Sequence, residues 1–351
     1  MSGLLKYLKR IWLLNFFRRL YLASRTYNYR YVQILRWGLR SREDTNFTYH
    51  LTPLNISYLA SLLAVALKTD FAVIAAYVDE ALNDRDLQEH ILRETQKSPL
   101  GRFADREVRL GRRLGWYVCV RVLKPRLVVE TGVDKGLGSV LLCSALLKNR
   151  AEGFSGHYIG TDINPAAGYL LSGPYGEVGE VRYGDSIESL KKLDGPVDLF
   201  INDSDHSSGY EYQEYQVIRS KLSEKSVLLG DNSDVSEALF RFSREEQRQF
   251  LYFQEKPAGH WYPGGHRYFF CRTLTSLFDR RRVFPSKPYF CGSIHETARF
   301  CLAPIGAFCL RPPGGARGRP ERRHTARCGA GKKRPQPNHP FPGAAIPTQF
   351  R

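Results

Sequence analysis

The chain has 351 residues, 42% of them hydrophobic and 25% charged, with Lys+Arg 52 against Asp+Glu 35 for a formal net charge of +17. The excess sits at the ends: residues 1–50 hold 10 basic and 2 acidic residues (+8), residues 271–351 hold 16 and 3 (+13), and residues 51–270 hold the remaining 26 and 30, a net of −4. That distribution argues against a body built to follow nucleic acid, and Leu59–Val78, the longest apolar candidate, is broken by Lys68 and Asp70 and so is not a membrane span.

The first segment, 1–44, reads as a basic helical extension. Leu4, Leu8, Ile11 and Trp12 share one helical face opposite Lys6, Lys9 and Arg10. Arg18 and Arg19 are expected to end this pattern near Asn15, which disfavours a long membrane-surface helix and favours packing on the body or on a subunit. The same pair interrupts any secretory h-region. Seven cysteines without a C-x-x-C pair fit a reduced, cytoplasmic chain better than a metal finger.

Residues 45–122 read as a helical cap. Thr52-Pro53 is a start signal before Asn55–Leu67, and Thr69-Asp70 is a second before Phe71–Leu82. Asp86–Thr95 and Arg112–Val122 complete the cap. From Leu127 short β-branched runs alternate with helical stretches: Leu127–Glu130, Tyr158–Thr161, Val181–Tyr183, Val197–Asn202 and Val227–Gly230 are the expected strands, followed by Phe250–Gln254 and Arg267–Cys271. Such alternation predicts an α/β fold with a doubly wound, mostly parallel sheet over 123–271, whose ligands lie beyond the carboxyl ends of the strands. The basic Arg/Pro/Gly-rich tail, 272–351, lacks periodicity and is expected to be disordered.

The first strand runs through Glu130 into Gly132, Gly136, Gly138 and Ser139. Glycines let a ligand approach the backbone, and the N–H groups of a helix start favour an anionic group. The G-x3-G-x-G spacing departs from the G-x-G-x-x-G of dinucleotide enzymes, so an NAD-type oxidoreductase is the alternative rather than the first reading. Asp162 ends the second strand, where a carboxylate can accept from ribose hydroxyls, and Asp185 ends the third, where it can meet an adenine edge.

Acids at three successive strand ends with a glycine turn after the first resemble the class I S-adenosylmethionine-dependent methyltransferases over residues 127–271. The resemblance implies a seven-stranded Rossmann-like sheet with an N-terminal helical layer. It also implies a cofactor site of Glu130, Gly132, Gly136, Ser139, Asp162 and Asp185.

The fourth strand ends in Asn202-Asp203-Ser204-Asp205-His206 and the fifth in Gly230-Asp231-Asn232. Two carboxylates and an amide oxygen from adjacent strand ends can converge on a hard cation. This resembles the metal-dependent small-molecule O-methyltransferases, catechol-type and natural-product sugar enzymes among them. Carried over, Asp203, Asp231 and Asn232 would hold Mg2+ or another divalent cation, with Asp205 competing for the first place. His206 stands where the catechol-type enzymes carry a catalytic lysine; with Asp203 it is the candidate for removing the acceptor's proton. His260, Trp261 and Tyr262 are candidate substrate residues.

The expected acceptor is a hydroxyl on a small molecule such as a sugar or polyol, with no specific nucleic acid and no transmembrane segment. The N-terminal helices leave a homo-oligomer open. A non-enzymatic binder of nucleic acid or anionic surfaces, acting through both basic ends, is the remaining alternative.

Overall fold

Strand β1 (Leu127–Thr131) lies at the middle of the five parallel strands, and its neighbours explain the rest of the architecture. It pairs in parallel with β2 (His157–Asp162) on one side and β4 (Val197–Asn202) on the other. β3 (Gly179–Tyr183) adds in parallel to β2 and β5 (Leu222–Gly230) to β4. Beyond β5 the direction reverses: β7 (Arg267–Thr273) pairs antiparallel with β5, and β6 (Arg248–Gln254) antiparallel with β7. The order is β3-β2-β1-β4-β5-β7-β6. Its direction reverses beside β1, since β2 and β4 flank β1 on opposite sides, and that crevice is where an open α/β sheet takes its ligands.

The computed structural model describes residues 11–43, 48–231, 233, 236–262 and 267–273, with the backbone alone at 27–29 and 267–273. The chain divides into two units, Met1–Pro285 and Ser286–Arg351, and every described residue belongs to the first. Asn232 and the tail from residue 274 onward lie outside the described residues.

Successive strand residues feed opposite faces of the sheet, which is why the parallel strands read as continuous apolar runs. Val128, Leu199, Ile201, Val227 and Leu229 pack with the helical cap, while Val129, Phe200 and Leu228 pack with Tyr215, Leu239 and Phe242 on the other side. The cap comprises α2 (Pro53–Leu67), α3 (Phe71–Leu82), α4 (Arg85–Lys97) and α5 (Arg113–Leu123). Thr52 accepts a hydrogen bond from the Asn55 N–H ahead of Pro53, as the sequence predicts for a helix start. α6 (Leu137–Ala151) follows β1 against this cap; α7 (Ser186–Lys191), α8 (Ser208–Ile218) and α9 (Ala238–Glu245) follow β3, β4 and β5.

The N-terminal expectation is corrected. α1 is one continuous helix, Trp12–Arg40. At about 100° per residue Arg18 falls among the polar positions and only Arg19 approaches the apolar edge, so the pair does not end the amphipathic pattern. α1 holds the body by its last turns: Trp37 meets Trp261 at 5.6 Å and His260 at 6.2 Å, and Ser41 just beyond donates to Asp105 at 3.0 Å.

Candidate active site

The turn after β1 is built by glycines and held by a carboxylate. Gly132 has φ +83° and Gly136 φ +89°, conformations that L side chains rarely adopt. A Cβ on Gly132 would lie 2.0 Å from the carbonyl oxygen of Asp203, so the glycine lets the turn close against the end of β4. Asp162 Oδ2 accepts the N–H groups of Val133 at 3.0 Å and Asp134 at 2.9 Å, and its Oδ1 accepts that of Asn164 at 2.8 Å. The predicted ribose acid is therefore also the anchor of the glycine turn.

Glu130 is 2% exposed and lies beneath the turn. Its Oε2 accepts the Ser139 hydroxyl at 3.2 Å and the Tyr158 hydroxyl. Burial pushes its carboxyl up to about 7, against the hydrogen bond from Tyr158. Gly138 gives it room, since a Cβ there would lie 2.5 Å from Glu130 Oε1 and 2.5 Å from the Trp116 ring. Glu130 and Ser139 thus meet each other, as one would expect of residues that shape the turn. Asp185 caps α7: its Oδ1 accepts the Glu188 N–H at 3.0 Å, which holds the carboxyl below its ordinary value, and its Oδ2 accepts the Tyr210 hydroxyl at 2.9 Å.

Asp203 and Asp231 are brought together, as their strand-end positions predict. The Asp203 N–H donates to Thr131 O at 2.9 Å and the Asp231 N–H to Asn202 O at 3.0 Å, so both residues continue the sheet ladder past the strand ends. The group placed with them is Arg112, immediately ahead of α5. Its Nη2 donates to Asp203 Oδ2 at 3.2 Å and its Nε pairs with Asp231 Oδ1 at 2.6 Å. Burial opposes the Arg112 charge, yet Asp231 and Asp203 hold the guanidinium well above its usual range. Burial pushes the Asp203 carboxyl well above the carboxylate range, the charge of Asp231 adding to it and Arg112 opposing.

Among the described residues no group of three His, Cys, Asp or Glu side chains is placed to hold a metal ion. Both carboxylates expected from sequence to hold a cation are answered by the Arg112 guanidinium, and the third expected ligand, Asn232, lies outside the described residues. Asp205 stays apart: it is exposed and accepts the Ser207 N–H at 2.7 Å. His206 is exposed on the same loop between β4 and α8.

His260, Trp261 and Tyr262 line a cavity of about 380 Å³ together with Gln33 of α1, Asn55 of α2 and Glu255. Tyr262 stacks on Tyr49 at 5.7 Å, and Trp261 meets Trp37 of α1 edge-on at 5.6 Å. Glu255, just past β6, is 2% exposed and accepts the Tyr49 hydroxyl. Burial pushes its carboxyl up to about 8, with Arg112 opposing and Asp231 adding, so this cavity and the carboxylate pair share one electrostatic environment. Glu255 Oε1 and His260 Nε2 are buried and have no hydrogen-bond partner among the described residues. Arg112, Glu255 and Tyr49 do not stand out in the sequence; the signal for Glu255 is an acid at a strand end ahead of Lys256-Pro257.

Another buried acid, Glu214 of α8, fastens the strand ends. Its oxygens accept from Thr131 Oγ1 at 3.2 Å, from Ser204 Oγ at 2.8 Å, and from Ser186 Oγ and Asn202 Nδ2. One side chain thereby joins the ends of β1 and β4 to the start of α7.

Residues 129–233 match a family model described as a methyltransferase domain. No curated protein matches the chain. Among solved structures it is similar to the SAH-bound methyltransferase PaMTH1 of Podospora anserina, at 18% identity and TM-score 0.41 over 57% of this chain and 93% of that one. It is also similar to the O-methyltransferase TomG of Streptomyces achromogenes, in complex with SAM and involved in tomaymycin synthesis, at 14% identity and TM-score 0.40 over 54% and 90%. A third similarity is to a methyltransferase of Geobacter sulfurreducens, at 17% identity and TM-score 0.41 over 57% and 96%.

Proposed function

We propose that this chain, with its methyltransferase domain at residues 129–233, is an enzyme that transfers the methyl group of S-adenosylmethionine to a hydroxyl of a small polar molecule. The observation that carries the reading is the glycine turn after β1, set in positive-φ conformations and pinned by Asp162 at the crevice beside β1. Five parallel strands in the order β3-β2-β1-β4-β5, continued by an antiparallel pair, support the seven-stranded sheet of that enzyme class.

The cofactor would lie across Gly132, Gly136, Asp162 and Asp185, and when bound it supplies an electrophilic methyl on a sulfonium. Glu130 and Ser139 act beneath it by fixing the turn. What the protein itself must do is orient the acceptor oxygen and remove its proton. Asp203, as the carboxylate that Arg112 beside it steadies, would take the acceptor's proton and become the neutral acid that its burial favours. His206, on the loop beyond, is the second candidate for that proton.

The acceptor is assigned to the cavity of His260, Trp261 and Tyr262. Aromatic faces combined with Gln33, Asn55 and Glu255 suit a ligand bearing several hydroxyls, such as a sugar or polyol. The reading does not include a divalent cation, because Arg112 already answers Asp203 and Asp231. A cytoplasmic setting fits Cys119 and Cys143, both buried free thiols.

Calorimetry with S-adenosylmethionine and with NAD tests the cofactor: absence of heat with the former rejects the reading, and heat with NAD favours an oxidoreductase. Methyl transfer to a panel of glycosides and catechols, with and without chelator, tests the acceptor class. Rates unchanged by chelator are expected.

A further inference from the structure

α1 leaves the body with its apolar side uncovered. The helix spans 29 residues, about 44 Å at 1.5 Å per residue. Wound at about 100° per residue, it gathers Leu13, Phe16, Phe17, Leu20, Ile34 and Leu35 into one broad stripe, with Arg18, Arg25, Arg36 and Arg40 on the other side. It carries six arginines and no acidic residue. Phe17 is 56% exposed, Leu35 65% and Leu39 78%. The contacts with the body come from a different edge: Gln33 and Trp37 are only half-exposed and reach the cavity and its tryptophan, and neither belongs to the apolar stripe.

No helix of the described residues is long and apolar enough to cross a membrane. A broad apolar stripe backed by arginines instead suits a helix lying in the plane of a membrane surface, the stripe among the acyl chains and the arginines at the headgroups. Exposed aromatic residues, Trp12, Tyr21 and Tyr31, lie along it, and such rings favour the headgroup level. The uniform charge selects the surface: a second copy would set arginines against arginines, whereas acidic lipid headgroups neutralise them.

We propose that α1 is an interfacial anchor that docks the enzyme on an anionic lipid bilayer. Because Gln33 of this helix lines the acceptor cavity, docking would set that cavity beside the membrane surface.

The test is co-sedimentation of the full chain with vesicles of phosphatidylcholine alone and of phosphatidylcholine with 30% phosphatidylserine (about a third anionic, enough for a strongly negative surface). Binding to the anionic vesicles is expected, falling about tenfold or more in the triple variant Leu13→Glu, Phe17→Glu, Leu35→Glu and falling likewise at high salt. Far-ultraviolet circular dichroism and thermal unfolding of the variant establish that the body remains folded. A second variant, Arg18→Gln, Arg25→Gln, Arg36→Gln, keeps the apolar stripe and should lose the preference for phosphatidylserine. Undiminished binding by the Glu variant would overturn the proposal and move the affinity to the basic tail. Self-association of the wild-type chain in solution that the Glu variant abolishes, without vesicle binding by either, would overturn it in favour of a second copy.

Discussion

Arg112 and Asp231 form an ion pair at 2.6 Å in which both side chains are nearly sealed from solvent, 13% and 3% exposed. With Asp203 added at 3.2 Å, one guanidinium serves two carboxylates at the ends of neighbouring strands. Removing the partner of a buried charge is costlier than the pair's net worth, since the remaining charges lose their compensation.

Arg112→Leu should therefore destabilise the fold by about 3–5 kcal/mol, read as a lower urea midpoint. Asp203→Asn in the Arg112→Leu background should recover part of that loss, because it removes the repulsion with Asp231. A Leu variant as stable as the wild type would show that the two acids are not held by this arginine.

Gly132 and Gly153 offer a paired comparison. Both have positive φ, +83° and +88°, but a Cβ on Gly132 meets Asp203 O at 2.0 Å while one on Gly153 meets nothing within 4 Å. Gly153→Ala should cost about 1–2 kcal/mol for its left-handed backbone alone and leave cofactor binding intact. Gly132→Ala should cost more and weaken S-adenosylmethionine binding in calorimetry by at least tenfold. Equal behaviour of the two would separate the turn from the cofactor.

Stability should fall as pH rises through neutrality. Burial raises Glu130 from 4.5 to about 7 and Glu255 from 4.5 to about 8, so the folded state holds protons that the unfolded chain has released. Their contribution is complete below about pH 4.5 and is lost as pH climbs through about 7 and about 8. For Glu130 the shift corresponds to a change on the order of 3 kcal/mol. Glu255→Gln should flatten the slope of urea midpoint against pH between 5 and 9 (a range chosen to span both titrations); an unchanged slope would show that Glu255 is not buried as a protonated acid.

Glu214→Ala strands the side chains of Thr131, Ser186, Asn202 and Ser204, whose donors converge on it. A loss of about 3 kcal/mol or more is expected, with Glu214→Gln retaining part of it through its amide oxygen. Melting temperatures of the two variants check the order.

Trp261→Ala should raise the KM for a glycoside acceptor several-fold while the heat of S-adenosylmethionine binding stays the same. Loss of both would place the aromatic loop in the cofactor site instead.

The strand ends were legible in the sequence because each apolar run stops at a residue with local work to do. Asp162 takes up loop N–H groups, and Asp185 caps a helix. The convergence of Asp203 with Asp231 followed from the order of adjacent strands. The occupant between them was not legible, since Arg112 lies 91 residues from Asp203 and belongs to the helical cap. Glu214 and Glu255 resemble solvated surface acids in one dimension, and only the fold shows them buried. The length of α1 was hidden because Arg18 and Arg19 read as a single basic break, although neighbours on a helix point about 100° apart.

Asp162 has a consequence for protein engineering. Its carboxylate is shared between a turn one helix and one strand upstream and the start of its own loop, through Val133, Asp134 and Asn164. A glycine turn transplanted from a methyltransferase would arrive without its clasp unless the acceptor at the end of β2 travelled with it. Attempts to alter cofactor preference in this chain should therefore treat 130–139 and 162–164 as a single cassette, exchanged together.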